Sequence, residues 1–475
     1  MRHGHKTIST LAMAAMLSSC GGGSGSSGGS TSVNPPPPPT SSTCSLRSRQ
    51  DFAFASLNEN YLFPETLPSN TDPTPYASVS DYIDYLTATA RGQGKDRFFT
   101  FITSIADENA FFSSGASAGF GIRIMSDVTA RRTNVVEAFE GAPALAAGID
   151  RGAEIIAIGT SASNLRTVSD IISAEGTAGV STALGPSTAG TTRLLRITDA
   201  QGTRDVSVTK ASFDLPPVSS RYGAKIIDDG ANRVGYLNLR TFISSADPQL
   251  RAAFDQFRMA GITQIIVDFR YNGGGLVSTA ELMGDLLGGN RSRSDVFSLT
   301  SFRPERSSSN STRRFNPLGQ SVSPTKIAFI GTSSTASASE LVMNSFIPYF
   351  GANEALIGGN TFGKPVGQIA VDRAACDDRL RIVAFTTRNA AGGGDYFKGI
   401  APNMGATCQA ADDPSHQLGD SQEASTRAAL DFLAGKSCTP IAATGQVSQS
   451  VRAAPPVMLT PDRPTVPQRE VPGLF

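Results

Sequence analysis

The sequence predicts a multi-domain chain that joins an α+β part to an α/β part. Its 475 residues exceed what a single core usually serves. Between about 108 and 215, short β-branched runs are separated by Gly, Ser and Asp turns. From about 230, strand-like runs alternate with helical ones. Hydrophobic residues at 39% and charged residues at 17% suit a globular chain. Lys plus Arg and Asp plus Glu both total 41 and no basic run occurs, so nucleic acid is excluded as a partner on composition.

Positions 1–20, "MRHGHKTISTLAMAAMLSSC", set Arg2 and Lys6 ahead of a short apolar run, the layout of an export signal. The run ends in Leu17-Ser18-Ser19-Cys20, which resembles a bacterial lipobox and implies lipidation of Cys20. Residues 21–43 are a Gly/Ser tether followed by a stiffer polyproline spacer. The expectation is a domain exported and held at a bacterial membrane, on the periplasmic side or at the outer membrane, by its lipid alone. No later stretch has the roughly 20 apolar residues that span a bilayer.

Residues 44–106 read as a small helical region, with "RQDFAFASLNENYLF" and "SVSDYIDYLTATA" apolar at helical spacing. Residues 108–215 read as a β-rich domain: "GFGIRI", "TNVVEAF", "AEIIAIG", "TRLLRIT" and "RDVSVTK" are strand-like, with a short helix in "GAPALAAGI". Residues 220–438 read as the α/β domain. Strands are expected at "RVGYLNLRTF", "ITQIIVDFR", "KIAFIG", "EALIGG" and "LRIVAFTTR", and helices near Asp247, Ser278 and Ala338 and over "EASTRAALDFLAG". The Pro-rich tail, 440–475, is expected to have no fold of its own. Setting Cys20 aside leaves Cys44, Cys376, Cys408 and Cys438, enough for two disulfides in an exported chain. Of the three possible pairings, Cys376 with Cys408 and Cys44 with Cys438 is expected, on proximity in the inferred layout.

Elimination narrows the chemistry. Of three His, His3 and His5 lie in the leader and His416 sits in the polar loop "DDPSHQLGD". A His-based metal site and a Ser-His-Asp triad are therefore poorly supported, and a Ser nucleophile would need a Lys base. "GGNTFGKP" nearly spells a phosphate loop, yet Pro365 stands where the metal-binding hydroxyl belongs and a strand-like run follows. "SPTK", 323–326, spells SxxK but leads into a strand. Three stretches remain: "VDFRYNGGGLV" with a Gly turn after a strand, the hydroxyl-rich "TSSTASASELV" at a helix start, and "TFGKPVGQ" with a Lys in a turn. Hydroxyls at a helix start cap orphan N–H groups, so the second stretch alone leaves cap and nucleophile both open.

Taken together and in order, "DFRYNGGG", "STASASE" and "TFGKPVGQ" resemble the tail-specific, or C-terminal processing, serine peptidases. The resemblance implies that Ser337 is the nucleophile, Lys364 the general base and Gln368 its orienting partner. Thr335 and Pro365 depart from the family's usual Ser and Gly. It also implies an oxyanion site from the Ala338 N–H and the turn Gly273, Gly274 and Gly275. The fold implied is a crotonase/ClpP-like α/β peptidase core, with "NYLFP" and "DRFFTFI" in the N-terminal helical region. Residues 119–210 resemble a PDZ module whose carboxylate-binding loop would be Gly119, Phe120, Gly121 and Ile122. The tail ends "VPGLF", so Phe475 is an apolar residue that fits such a pocket in the resting state.

The implied function is a serine endopeptidase acting on exported proteins or peptides with free C-termini, without metal or organic cofactor. The competing class is a PDZ-bearing scaffold that captures tails without cutting them.

Overall fold

The computed structural model describes residues 43–230, 232–442 and 456–475; the leader, the tether and Cys20 lie outside the described residues. Helix α1, Leu46–Asn60, starts where the Ser45 hydroxyl accepts from the Ser48 N–H. Helix α2, Val79–Leu86, starts the same way at Ser78, so both ends satisfy a donor no helical carbonyl can reach. After α3, Ala88–Gly92, the chain makes strand β1, Phe101–Ser104, within the stretch expected to be helical. Helix α4, Ile105–Ser114, stops at Gly115, whose φ of +82° lets the chain reverse.

The β-rich domain follows: β2 (Ala116–Gly119), β3 (Ile122–Asp127), β4 (Arg132–Ala138), α5 (Pro143–Ala146), β5 (Glu154–Gly159), β6 (Arg166–Thr167), α6 (Val168–Leu184), β7 (Thr192–Asp199), β8 (Gly202–Thr209) and β9 (Ala211–Asp214). Strands β3, β4, β5, β7 and β8 lie side by side in that order, and β2 pairs separately with β9. The expected strands and α5 are present; α6 was not anticipated, its apolar residues being interrupted by Gly and Ser. Val168, Ile171, Ile172, Val180 and Leu184 of α6 close one core with Phe120, Ile122 and Ile124.

The third part contributes β10 (Ala224–Asp229), β11 (Asn232–Asn238), α7 (Ala246–Met259), β12 (Gln264–Asp268), α8 (Val277–Leu287), β13 (Val296–Phe302), β14 (Ser311–Arg314), β15 (Lys326–Gly331), α9 (Ala338–Phe350), β16 (Glu354–Gly358), β17 (Val366–Arg373), β18 (Asp378–Arg388), β19 (Ala406–Gln409) and α10 (Ala424–Leu433). Its main sheet runs β10-β11-β12-β15-β16-β19, parallel from β11 onward. Residues of α7, α8 and α9 cover one face and α10 the other, which is why the inner strands read as continuous apolar runs. A second sheet, β1-β18-β13-β14 with β17 on β18, stands beside it. Helices α1 and α2 pack on this sheet through Ala53, Leu57, Ile83 and Leu86 against Leu380 and Ile382.

Two expectations are corrected. The disulfides are Cys44–Cys376 and Cys408–Cys438, not Cys376–Cys408 and Cys44–Cys438. Cys44 precedes α1, which lies on β18, and so meets Cys376 at the β17–β18 turn; Cys408 on β19 meets Cys438 just past α10. The tail also has structure. Strand β20, Val457–Met458, pairs antiparallel with β3, and α11, Val466–Glu470, precedes a final stretch that docks on the same strand. Pro suppresses helix and sheet within the tail, but apolar Leu459, Val466, Val471, Leu474 and Phe475 are buried against the other domains. Among the described residues no helix is long and apolar enough to cross a membrane.

Peptide mapping under non-reducing conditions should return the pairs Cys44–Cys376 and Cys408–Cys438. Breaking the first, which closes 332 residues, should cost about 2–4 kcal/mol of stability in denaturant titrations.

Candidate active site

The three stretches singled out in the sequence leave the carboxyl ends of three neighbouring parallel strands. "DFRYNGGG" follows β12, "STASASE" follows β15, and "TFGKPVGQ" follows β16. Sheet order therefore gathers segments about 100 residues apart into one crevice, the usual ligand position in open α/β sheets.

Ser337 caps α9 with φ +56° and ψ −112°, a conformation L-residues rarely adopt. The surroundings hold it there. The Thr335 hydroxyl donates to the Phe269 carbonyl at 2.7 Å, and the Ala336 N–H and Ser339 hydroxyl both donate to the Asn272 carbonyl. Gly274, at φ +116°, lies so close that a Cβ there would sit 2.8 Å from the Ser337 Cβ.

The Glu340 carboxylate is the hub. It is fully buried and accepts from the Ser337 N–H at 2.9 Å, the Gly363 and Lys364 N–H groups at 2.7 Å each, and the Thr361 hydroxyl. The backbones of Ser337 and Lys364 are thus pinned to one side chain. Burial raises its pKa and these four donors oppose the rise. No role was assigned to Glu340 from sequence, although Ser337-x-x-Glu340 is the capping-box pattern and would have signalled half of this geometry.

Lys364 Nζ donates to Gln368 Oε1 at 2.8 Å and lies 4.7 Å from the centre of the Phe99 ring. Gln368 is on β17, and its amide donates to the Phe99 carbonyl. Arg97 donates to the Phe362 and Gly363 carbonyls and stacks over the Phe362 ring at 3.9 Å. Phe99 and Arg97 carry no local signal of these roles, being more than 260 residues from the loop they brace. Burial pushes the Lys364 pKa below its ordinary value; Glu470 and Asp96 oppose the shift and Arg381 adds to it. The Ser337 and Glu340 side chains and backbones face each other in a capping-box arrangement.

Of the expected oxyanion residues, Ala338 opens α9 and Gly273 faces the cleft. Gly274 does not offer its N–H, which donates to Asn272 Oδ1 at 2.9 Å; its part is close approach. Asn272 was not singled out from sequence, and its amide also holds the Leu239 carbonyl. Beneath this loop, Arg270 is buried between Asp268, Glu423 and Asp412, and Arg151 of the β-rich domain joins through Asp412 and the Tyr271 hydroxyl. Against a burial penalty, Arg270 holds Glu423 down at about 2. His416 is bonded to Asp413 and Ser415 in an exposed loop. The near phosphate loop does not continue into a helix, since β17 follows. Among the described residues no His/Cys/Asp/Glu group could hold a metal.

Gly119 ends β2, Phe120 and Gly121 form the turn, and Ile122 begins β3. Phe120 and Ile122 are fully buried in the core closed by α6. The Gly121 and Ile122 N–H groups donate to the Phe475 carbonyl oxygen at 2.9 and 3.2 Å, and the Phe475 N–H donates to the Ile122 carbonyl.

Residues 233–405 match the model of Peptidase family S41. The chloroplastic C-terminal processing peptidase of Tetradesmus obliquus is 28% identical over 273 residues, covering 55% of this chain and 54% of that protein. A carboxyl-terminal-processing protease of a Picosynechococcus species is 24% identical over 259 residues, covering 53% and 55%. The chain thus spans about half the length of the curated relatives it matches. A solved structure from Bacteroides fragilis, described as a candidate S41 protease, superposes with a TM-score of 0.63 at 23% identity, over 81% of this chain and 97% of that one. The match over residues 233–405 supports a peptidase S41 domain there, and the superposition shows a shared mixed α/β fold.

Replacing Glu340 by Ala leaves four donors without their acceptor, two of them buried, and should cost at least about 2 kcal/mol in denaturant melts. Glu340→Gln, which keeps an acceptor, should cost less while still lowering activity. Equal stability of wild type and Glu340→Ala would contradict the hub assignment.

Proposed function

We propose that this chain is a serine endopeptidase in which Ser337 is the nucleophile, Lys364 the general base and Gln368 the residue that orients it. The observation that carries this reading is the half-buried Lys364 amine, held by Gln368 on a loop pinned through Glu340 to the backbone of Ser337. Burial favours the neutral amine, the form able to accept a proton. The reaction requires the Ser337 hydroxyl to turn toward the Lys364 amine. The amine takes the hydroxyl proton, Oγ attacks a peptide carbonyl, and the oxyanion develops toward the Ala338 and Gly273 N–H groups. As the intermediate collapses, Lys364 returns the proton to the leaving amine. Water activated by the same lysine then releases the acyl group from Ser337. The chemistry calls on no metal or organic cofactor.

Substrates are exported proteins or peptides engaged by their tails. The β2–β3 turn at Gly119, Phe120, Gly121 and Ile122 presents two N–H groups and the edge of β3, the arrangement by which PDZ modules take a terminal carboxylate and an added strand. Export through the leader and lipidation of Cys20 complete the proposal; in native membranes, Cys20→Ser should release the protein without altering the activity of its soluble domains. Capture without cleavage is the reading that a single-turnover peptide assay separates from this one.

Ser337→Ala and Lys364→Ala should each lower peptide cleavage by on the order of 10³-fold or more, and the double variant should be no worse, because the two act as a unit. His416→Ala should cleave as wild type does.

The rate at which a small serine-reactive phosphonate labels Ser337 should rise with pH, through an apparent pKa below the value near 10.4 of a free lysine. Glu470 is a charge that raises the Lys364 pKa, so Glu470→Gln should move this profile to lower pH. A flat profile across about pH 6 to 9 would contradict a lysine base.

A further inference from the structure

We propose that residues 456–475 are the resident, intramolecular ligand of the peptide path, occupying both the tail pocket on β3 and the crevice beside Lys364, and that an external polypeptide tail must displace them. The inference rests on the peptidase reading above and names the ligand that regulates the same site.

Phe475 is 1% exposed, its ring among Phe120, Ile122 and Ile124. Its carbonyl is held by the Gly121 and Ile122 N–H groups, and the Ile124 N–H donates to the Gly473 carbonyl at 2.8 Å, so residues 473–475 run as an added antiparallel strand. Arg123, buried on β3, spans two elements: its Nη1 donates at 2.8 Å to both the Pro472 and the Tyr271 carbonyls, the latter in the loop that carries Gly273.

Five residues back from Phe475, the segment reaches the catalytic crevice. The Glu470 carbonyl lies against Gly273, where a Cβ would approach it to 2.8 Å, and Pro472 Cδ stands at 3.2 Å from the same point. Glu470 and Lys364 line the same cavity, and the Glu470 charge raises the Lys364 pKa against the effect of burial. Residues Pro461, Arg463 and Arg469 roof a cavity of about 900 Å³ whose floor includes Gly273, Ala336 and Lys364. The roof is tied down on its far side, where Arg463 pairs with Asp81 at 2.7 Å and Arg469 lies 4.3 Å over the Phe101 ring.

The segment also defines the chemistry its competitors must share: a large apolar residue at the β2–β3 turn, and backbone free to pair with β3. At its own Gly473, with φ +82°, a Cβ would press on Met458 Sδ at 2.8 Å and the Ile124 carbonyl at 2.9 Å. A tethered ligand acts at an effective concentration on the order of millimolar, enough to raise the apparent Kd of a micromolar competitor by about 10²- to 10³-fold.

The test has a binding arm that does not depend on catalysis. In a Ser337→Ala background, a fluorescent peptide of the sequence of residues 466–475 is titrated against the full chain and against variants carrying Phe475→Asp or Gly473→Val, which loosen the segment without removing it. We expect at least about tenfold tighter binding to the loosened variants at the crevice, competed by the unlabelled peptide. In the activity arm, with Ser337 intact, the same variants should cleave a fluorogenic peptide with a KM at least about tenfold lower, and the 466–475 peptide added in trans should inhibit competitively. Equal peptide affinity for parent and loosened variants, with both folded by thermal melt, would overturn the resident-ligand assignment. Tighter binding without any cleavage would sustain it and count against the peptidase reading instead.

Discussion

Everything in the crevice hangs on the Glu340 carboxylate. One buried acid satisfies four donors from two separate loops, and an acid so placed is tolerated only because its oxygens are fully engaged. It holds the strained backbone of Ser337 from below and the lysine loop from the side. Strain of this kind persists where neighbouring structure over-determines it, and here Thr335, Ser339 and Asn272 share that task. The lysine can then be desolvated without wandering, because its backbone is anchored by Glu340 and its tip by Gln368.

The scaffold behind that hub is the parallel sheet. Adjacent strands β12, β15 and β16 end at one edge, and their three exit loops meet there because they are neighbours in the sheet. The loop after β12 is set at its base by the Arg270 cluster, whose paired charges are costly to bury singly and hold geometry when complete. Through Arg151 and Arg123 the same loop is hydrogen-bonded to the β-rich domain.

The N-terminal region and the C-terminal segment close the crevice from opposite sides. Phe99 and Arg97 form the wall around the lysine, and residues 456–475 form a lid whose two ends dock on β3. Neither contribution could come from the core sheet, because its own exit loops are spent on placing Ser337 and Lys364.

Much was legible in the residues. Strand runs of Val, Ile and Leu, the Gly turns and the hydroxyl-rich helix start were enough to place the main elements, since these are local signals of periodicity and turn chemistry; Ser337, Lys364 and Gln368 were singled out only through the resemblance of three ordered stretches to a known family. Helix α6 escaped notice because its Gly and Ser interruptions mask its spacing. Glu340 was visible only as a cap; that it reaches Gly363 and Lys364 depends on sheet order. The cysteine pairing was misjudged because pairing depends on which chain segments fold against each other, and Cys44 approaches the β17–β18 turn only once α1 lies on β18. The tail was expected to lack structure because its Pro content argues against helix and sheet; its apolar residues fold on surfaces that other domains provide. Sequence alone determined which residue types were available and in what order, because turns, caps and strand runs are short-range. Tertiary structure alone decided which of them meet, because burial and hydrogen bonding act between segments hundreds of residues apart.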